Sequence, residues 1–386
     1  MNILILNWRD KDHPQSGGAE IVTHEHAKGW VKRGHSVTWF TSRYPNAEEK
    51  EIVDGMRIMR HGGALTVYPM AMQYVFFNGK KFDVIVDEVH GFSFFSPIFT
   101  RTPVVVFIHE IAGVIWDYMY PFPINSIGKF LEKYYFRFYK KCRFWTDASS
   151  TIEELVAMGI KKEQCTAIPC PISIDQKIVD QRLKNNIETN NQIPKIQDLR
   201  PKNQEPTYIF VSRVVKMKGI EEVIKAFAFI RKEQPDAALW IVGGGEPEYL
   251  RELRMMVEEY HVKDCVTFFG RVSEQEKLDL MRKAHILLHA SVKEGWGLVV
   301  LEAASVGTPS VVYNVSGLRD VVKNRKTGIV LRNNSPQEMA KETLQLIGDK
   351  KRYSLYQTNG KIWVNSMQWE DVIKQSMKLL KEAVII

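Results

Sequence analysis

The sequence predicts an α/β protein of two doubly wound domains, each a mostly parallel sheet with helices on both faces. Three observations predict it. Short apolar, β-branched runs alternate with amphipathic stretches throughout the chain. The alternation occurs as two series separated by a polar stretch over 176–206. At 386 residues the chain also exceeds what one hydrophobic core usually serves.

In chain order the first series places strands at Ile3 to Asn7, Ser36 to Thr41, Val84 to Asp87, Val104 to His109, Phe144 to Ser149 and Cys165 to Ile168. The second places them at Thr207 to Ser212, Ala238 to Val242, Val266 to Phe269, Ile286 to His289, Ser310 to Tyr313 and Gly328 to Leu331. Between the series, Gln176 to Pro206 is rich in Asn, Gln, Lys and Asp, holds three prolines and has few apolar residues to give either core. The expected organisation is therefore a first domain over 1–175, a linker over 176–206 and a second domain over 207–366. Apolar residues at helical spacing from Trp363 onward predict two closing helices, with 367–386 completing the first domain.

Hydrophobic content of 45% and charged content of 25% are those of an ordinary globular chain. The net charge of +8 favours anionic partners. With no basic tail and no RNA-binding aromatic signature, small phosphorylated ligands are expected and nucleic acid is not. Cys142, Cys165, Cys170 and Cys265 include no CxxC and are too few to staple the chain, so they read as free thiols of a reducing compartment. The start reads as a strand instead of a signal peptide, and no uncharged apolar run reaches the ~18 residues of a membrane span. A cytoplasmic protein, peripheral at most, is expected.

The most informative segment runs from Val292 through Lys293-Glu294-Gly295-Trp296-Gly297-Leu298 to Glu302. Gly295 and Gly297 permit a tight loop, and the apolar residues from Leu298 predict a helix ending near Gly307. A helix N-terminus behind glycines offers free backbone N–H groups and a positive dipole end to a phosphate. Glu294 precedes the loop and Glu302 lies one turn inside the helix. Each carboxylate can accept hydrogen bonds from paired sugar hydroxyls. Spacing alone favours a capping Glu294 and a solvated Glu302.

The neighbours shift the weight. Arg213 is aimed off the end of the second domain's first strand, where ligands of open α/β sheets bind, and Lys218 is expected to open the helix that follows. A guanidinium fork and an ammonium together suit a diphosphate, such as the leaving group of a nucleotide sugar. Lys216 reads as a solvated neighbour.

With these motifs the sequence resembles the retaining glycosyltransferases of family 4, over nearly its whole length. Glu294 and Glu302 match the family's E-x7-E, Arg213 and Lys218 its diphosphate pair, and Ser16-Gly17-Gly18-Ala19-Glu20 its first glycine loop. The resemblance implies the GT-B fold, two Rossmann-like domains facing across a cleft. It implies that Glu294 contacts the donor sugar, Glu302 the ribose hydroxyls, and Gly17 and Gly18 the donor phosphates and the acceptor. It implies that His109 meets the donor sugar, that Gly243 and Gly244 form a turn near the nucleotide, and that Arg271 lines the base pocket. Gly295, Trp296, Gly297 and Leu298 are then donor loop, with Val315 to Leu318 as another edge of the nucleotide site.

Two other signals fail on placement. Asp10-Lys11-Asp12 matches a metal-binding D-x-D but lies in a loop before the glycines, and His24 and His26 point to separate faces of one helix. No metal and no cofactor are expected. The chain also departs from the family at Pro171-Ile172-Ser173-Ile174-Asp175, where an Asn-Gly-Ile-Asp turn is common, and in the length of its polar linker.

The implied reaction moves a hexose from a nucleotide-diphosphate sugar, with uridine and guanosine both open, to a glycan, lipid-linked or small-molecule acceptor, as in cell-envelope polysaccharide synthesis. Rival readings are a GT-B epimerase or phosphorylase, or a non-catalytic nucleotide-sugar-binding protein. Ile124 to Trp145 interleaves Lys129, Lys133, Arg137, Lys140 and Lys141 with Phe130, Tyr134, Tyr135, Phe138 and Trp145, the composition of a helix lying on the inner face of a membrane.

Overall fold

Valine, leucine and isoleucine runs bounded by polar residues become parallel strands, because such strands need apolar side chains on both faces. The computed structural model describes residues 1–172 and 206–385. Two units result. One takes Met1–Cys170, Lys293–Trp296 and Met367–Ile386; the other takes the stretch ending at Val292 and Gly297–Ser366. The polar stretch over 176–205 and residues Ser173, Ile174 and Asp175 lie outside the described residues.

The first unit's sheet contains β1 (Asn2–Leu6), β2 (Ser36–Thr41), β3 (Lys50–Val53), β4 (Met56–Arg60), β5 (Val84–Glu88), β6 (Val104–Phe107), β7 (Arg143–Thr146) and β8 (Cys165–Ala167). They lie in the order β3-β4-β2-β1-β5-β6-β7-β8. Every pairing is parallel except β3 with β4, a hairpin closed by Asp54 and Gly55 at φ 48° and 81°. Its helices are α1 (Gly18–Lys32), α2 (Val67–Asn78), α3 (Ser96–Phe99), α4 (Ile115–Met119), α5 (Ile124–Tyr135) and α6 (Ser149–Ala157).

Alternation divides the strand residues between two faces. Leu4, Leu6, Val104 and Val106 join the core that holds Val75 of α2, Tyr135 of α5 and Tyr139. On the other side Trp145 stacks on Phe107 with ring centroids 3.8 Å apart, and His26 and Trp30 of α1 lie against Trp145. The helix Trp369–Ile385 closes that side. Its Ser376 Oγ takes a hydrogen bond from Trp30 Nε1 at 3.0 Å and pairs with His26 Nδ1 at 3.0 Å. Ile373 fills the space a side chain at Gly29 would need, 2.3 Å from that position's ideal Cβ.

The second sheet is wholly parallel, in the order β11 (Val266–Gly270), β10 (Ala238–Val242), β9 (Thr207–Val211), β12 (Ile286–His289), β13 (Ser310–Val312), β14 (Gly328–Val330). This is the 3-2-1-4-5-6 order of a Rossmann unit.

Three expectations are corrected. β6 stops at Phe107 and its bonding to β7 runs only as far as Ile108 N–H to Trp145 O at 2.9 Å, so His109 lies beyond the strand. The predicted helix over Ile124 to Trp145 ends at Tyr135, passes into a 3-10 turn at Phe136–Tyr139 and reaches β7, where the apolar Trp145 is fully buried. Lys218 ends a 3-10 turn at Lys216–Lys218, and Gly219, at φ 70°, separates it from the α-helix beginning at Ile220.

Candidate functional site

Ligands of open α/β sheets bind beyond the strand C-termini where the strand order reverses. In the second sheet that point lies between β9 and β12. Arg213 follows β9 and is exposed. Behind it, Gly243, Gly244 and Gly245 let the loop after β10 press on the chain after β9. A Cβ at Gly243 would stand 1.7 Å from Ser212 O, and one at Gly245 2.4 Å from Val214 O. The glycines therefore serve this close approach directly, whatever else they face. Gly244 also packs on Arg271, whose Nε would lie 2.7 Å from a Cβ there.

The 3-10 turn carrying Lys218 is tied to the end of β12. Met217 O accepts from Val292 N–H at 2.9 Å and from the Ser291 hydroxyl at 3.2 Å. Lys218 is buried to 9% exposure, whereas Lys216 is exposed and pairs with Glu252 at 3.4 Å. Gly297, at φ 91°, caps the helix Leu298–Ser305 and packs against Leu318, in the loop bearing Val315 to Leu318.

Glu302 projects from that helix to Lys277 Nζ, 2.9 Å away, and Lys277 also holds Glu274 at 2.7 Å. Burial raises the Glu302 carboxyl above its usual range while the Lys277 ammonium opposes the rise. Lys277 escaped the sequence reading, since a lysine on the amphipathic helix Glu274–Lys283 has no distinguishing neighbour.

Within the first unit, Lys293 pairs with Glu154 at 2.6 Å, Trp296 donates its indole N–H to Cys170 O at 3.0 Å, and half-buried Glu294 lies between them in the chain. A Cβ at Gly295 would be 2.9 Å from His109 O.

The first sheet reverses between β1 and β5; Gly17 and Gly18 stand at the start of α1, Glu88 ends β5 and His90 follows it. Gly17 caps α1, but its N–H is taken by Glu20 at 2.6 Å, and Glu20 is itself held by Arg9 at 2.7 Å. The expected open amide at Gly17 is thus filled by a side chain of the same loop. His109 is 7% exposed, with Nε2 3.1 Å from Glu88 and Nδ1 bonded to Asp147. Burial alone would lower its pKa, but Asp147 and Glu88 raise it to about 10. The stability this contributes is complete below the ordinary imidazole value and fades as pH rises through about 10.

His90 Nε2 also reaches Glu88 Oε1, at 2.9 Å. The trio Glu88, His90 and His109 has donor atoms within 4.8 Å of one another, a spacing that their mutual hydrogen bonds account for. The loop after His109 is fixed by Glu132 of α5, whose carboxylate accepts from Ala112 N–H and Gly113 N–H at 2.7 Å each and from Trp116 Nε1 at 3.1 Å. Neither Glu88, Asp147 nor Glu132 stood out in the sequence, because each is an isolated acid that only the sheet order brings to its partner.

The two discounted signals find structural partners. Asp10 is buried against Arg60 Nε at 2.6 Å and Asp12 pairs with Lys11 at 2.7 Å. His24 meets Asp54 at 2.8 Å, away from His26 and its Ser376.

Two family models match, "Glycosyltransferase Family 4" over residues 16–176 and "Glycosyl transferases group 1" over 191–363. A GDP-mannose-dependent α-(1-6)-phosphatidylinositol monomannoside mannosyltransferase of Mycobacterium tuberculosis is 33% identical over 177 residues, 43% of this chain and 44% of that relative. The chain thus spans less than half of that protein's length in the match. An uncharacterised glycosyltransferase of Methanocaldococcus jannaschii is 26% identical over 100% of this chain and 99% of its own. The structure of sucrose-phosphate synthase from Thermosynechococcus elongatus superposes with a TM-score of 0.76 at 20% identity, covering 99% of this chain and 98% of the other. With both units matched by family models and the whole chain matched by this fold, the protein belongs to the family 4 glycosyltransferases and has the GT-B fold.

Proposed function

We propose that the protein transfers a hexose, with retention of anomeric configuration, from a nucleotide-diphosphate sugar to a glycan, lipid-linked or small-molecule acceptor. The observation that carries this reading is the tie at Met217 O, which joins the Arg213 and Lys218 turn to the segment entering the E-x7-E motif. The bond from the anomeric carbon to the diphosphate breaks toward an oxocarbenium-like state. Arg213 and Lys218 stabilise charge on the departing diphosphate, Glu294 and His109 hold the sugar, and Glu302 takes the ribose hydroxyls. The acceptor oxygen attacks the same face and its proton passes to the leaving phosphate. Gly17, Gly18, Gly243, Gly244, Arg271, Gly295, Trp296, Gly297 and Leu298 are the donor- and nucleotide-binding residues of this reading.

Incubation with UDP- and GDP-sugars and a panel of acceptors tests the reading: a glycosylated acceptor with the donor's anomeric configuration is expected. Inverted product, or only an epimerised nucleotide sugar, would overturn it. Since protein cations meet the diphosphate charge, no metal or cofactor is part of this reading. Turnover is expected to persist in excess EDTA; loss that Mg²⁺ or Mn²⁺ restores would contradict it.

The same reading includes a peripheral position at the cytoplasmic membrane face through α5 and its flanks. No described helix is long and apolar enough to cross a membrane. The inner side of α5 is spoken for by Gly128, Glu132 and Tyr135, while Phe122 is 81% exposed, Ile127 53%, Phe130 61% and Phe138 55%. Lys133, Arg137, Lys140 and Lys141 are exposed around them. Apolar side chains rimmed by cations suit an anionic bilayer, where each basic residue adds about 1 kcal/mol, or roughly fivefold in affinity. Co-sedimentation with anionic vesicles should weaken with salt, and Lys133→Gln should weaken it about fivefold on the same scale. No co-sedimentation at low ionic strength would remove the membrane from the reading.

A further inference from the structure

Glu88 ends β5 with no exposed surface. One oxygen, Oε1, accepts from His109 Nε2 at 3.1 Å and His90 Nε2 at 2.9 Å, and the other, Oε2, accepts from the Thr23 hydroxyl at 2.9 Å. Asp147, 2% exposed, meets the opposite nitrogen of the same His109 ring. An ionised carboxylate only accepts hydrogen bonds, so a ring held at both nitrogens by carboxylates must donate from both. A neutral imidazole would set a lone pair against a buried carboxylate oxygen.

We propose that Glu88 is a positioning residue which, opposite Asp147, holds His109 as a fixed imidazolium throughout the neutral range, so that His109 acts as a cation and never as a base. This rests on the reading that His109 meets the donor sugar. The ring is held on its other sides too. Phe107 lies with its centroid 4.2 Å away and the His90 ring stacks at 5.7 Å. The main chain beneath the ring is tied as well, the Thr151 hydroxyl donating to the His109 backbone carbonyl at 3.4 Å.

The other titratable groups around the network leave this arrangement intact. His90 is 3.8 Å from Glu20, whose charge is met by Arg9. His26, on α1 beyond Phe107, is kept neutral by burial, which lowers its pKa to about 3. The buried Cys170 thiol faces Asp147 and is pushed up by burial, so it stays uncharged. A fixed cation beside the reaction centre needs no reorganisation as charge develops there, which is where preorganised electrostatics is most effective.

The test follows the His109 ring nitrogens by ¹⁵N NMR in full-length protein labelled at histidine, alongside the pH dependence of kcat. In the wild type both nitrogens should stay protonated from about pH 6 to 9, well past the ordinary imidazole range. In Glu88→Gln the midpoint should fall by at least ~1 pH unit, and kcat should gain an alkaline descending limb while the donor KM changes little. A wild-type His109 titrating near its ordinary value would overturn the proposal without any variant. So would an unshifted midpoint in Glu88→Gln, or a stoichiometric metal ion in the purified protein. A shifted midpoint with an unchanged kcat profile would uphold Glu88's hold on the ring and reject instead the assignment of His109 to the donor.

Discussion

Arg213→Ala should fold as the wild type does and lose at least ~100-fold in kcat, with Lys218→Ala losing a similar factor, while the KM for donor moves far less. Negative charge on the diphosphate is greater in the transition state than in the bound donor, so removing a cation subtracts mainly from the barrier. One well-placed electrostatic contact is commonly worth roughly 2.7–4 kcal/mol, which is about 10²–10³ in rate. Arg213 is exposed, so its loss leaves no cavity. Lys218 is 9% exposed, and Lys218→Met, which keeps the apolar stem, isolates the charge from the packing. Lys216→Ala is the control and should be nearly neutral, its partner Glu252 being a surface residue 3.4 Å away. Unchanged kcat in both the Arg213 and Lys218 variants would remove the assigned donor site.

A large effect on stability is expected at Gly219. A Cβ there would lie 1.9 Å from Ala290 O and 2.4 Å from Ala290 C, backbone atoms at the end of β12, and the residue sits at φ 70°. Left-handed strain of about 1 kcal/mol and overpacking of about 1–3 kcal/mol act together, so Gly219→Ala should cost roughly 2–4 kcal/mol. In a unit of this size that lowers Tm by about 5–15 °C. Two comparisons separate the causes. Gly34, at φ 80° with nothing within 4 Å of its Cβ position, should show the strain alone; Gly348, with open space and an ordinary φ, should be close to neutral as alanine. Equal melting temperatures for the Gly219 and Gly348 variants would mean the turn yields freely to β12.

Strands buried on both faces were the most legible elements. Ala238–Val242 and Ile286–His289 lie where their apolar runs predict, since a parallel strand has to be apolar throughout and its ends are marked by polar residues. The hairpin of β3 and β4 was missed because Lys50, Glu51, Arg57 and Arg60 interrupt its apolar residues. Its signal was the Asp54-Gly55 pair, whose two left-handed residues favour a tight turn. In the candidate site, residues grouped by short spacing stand out as candidates in the sequence, as with Arg213 and Lys218 or Glu294 and Glu302. Glu88, Asp147, Glu132 and Lys277 do not, since what distinguishes them is a partner supplied by another element. His109 was read two residues out of place, as a strand end, because the apolar run of β6 continues through Ile108, one residue past the strand's end at Phe107.

The hydrogen bonds from His26 and Trp30 to Ser376 join residues 350 and 346 positions apart. Until that serine is synthesised, α1 presents an uncovered imidazole, an uncovered indole N–H and the cleft over Gly29 that Ile373 fills. At about 5–20 residues per second, translation separates these two surfaces by roughly 17–70 s. The second unit's sheet, whose strands are all made between Thr207 and Val330, leaves the ribosome complete within that interval. The unit begun first is therefore finished last, with the face of α1 that meets Ile373 and Ser376 open until the closing helix is made.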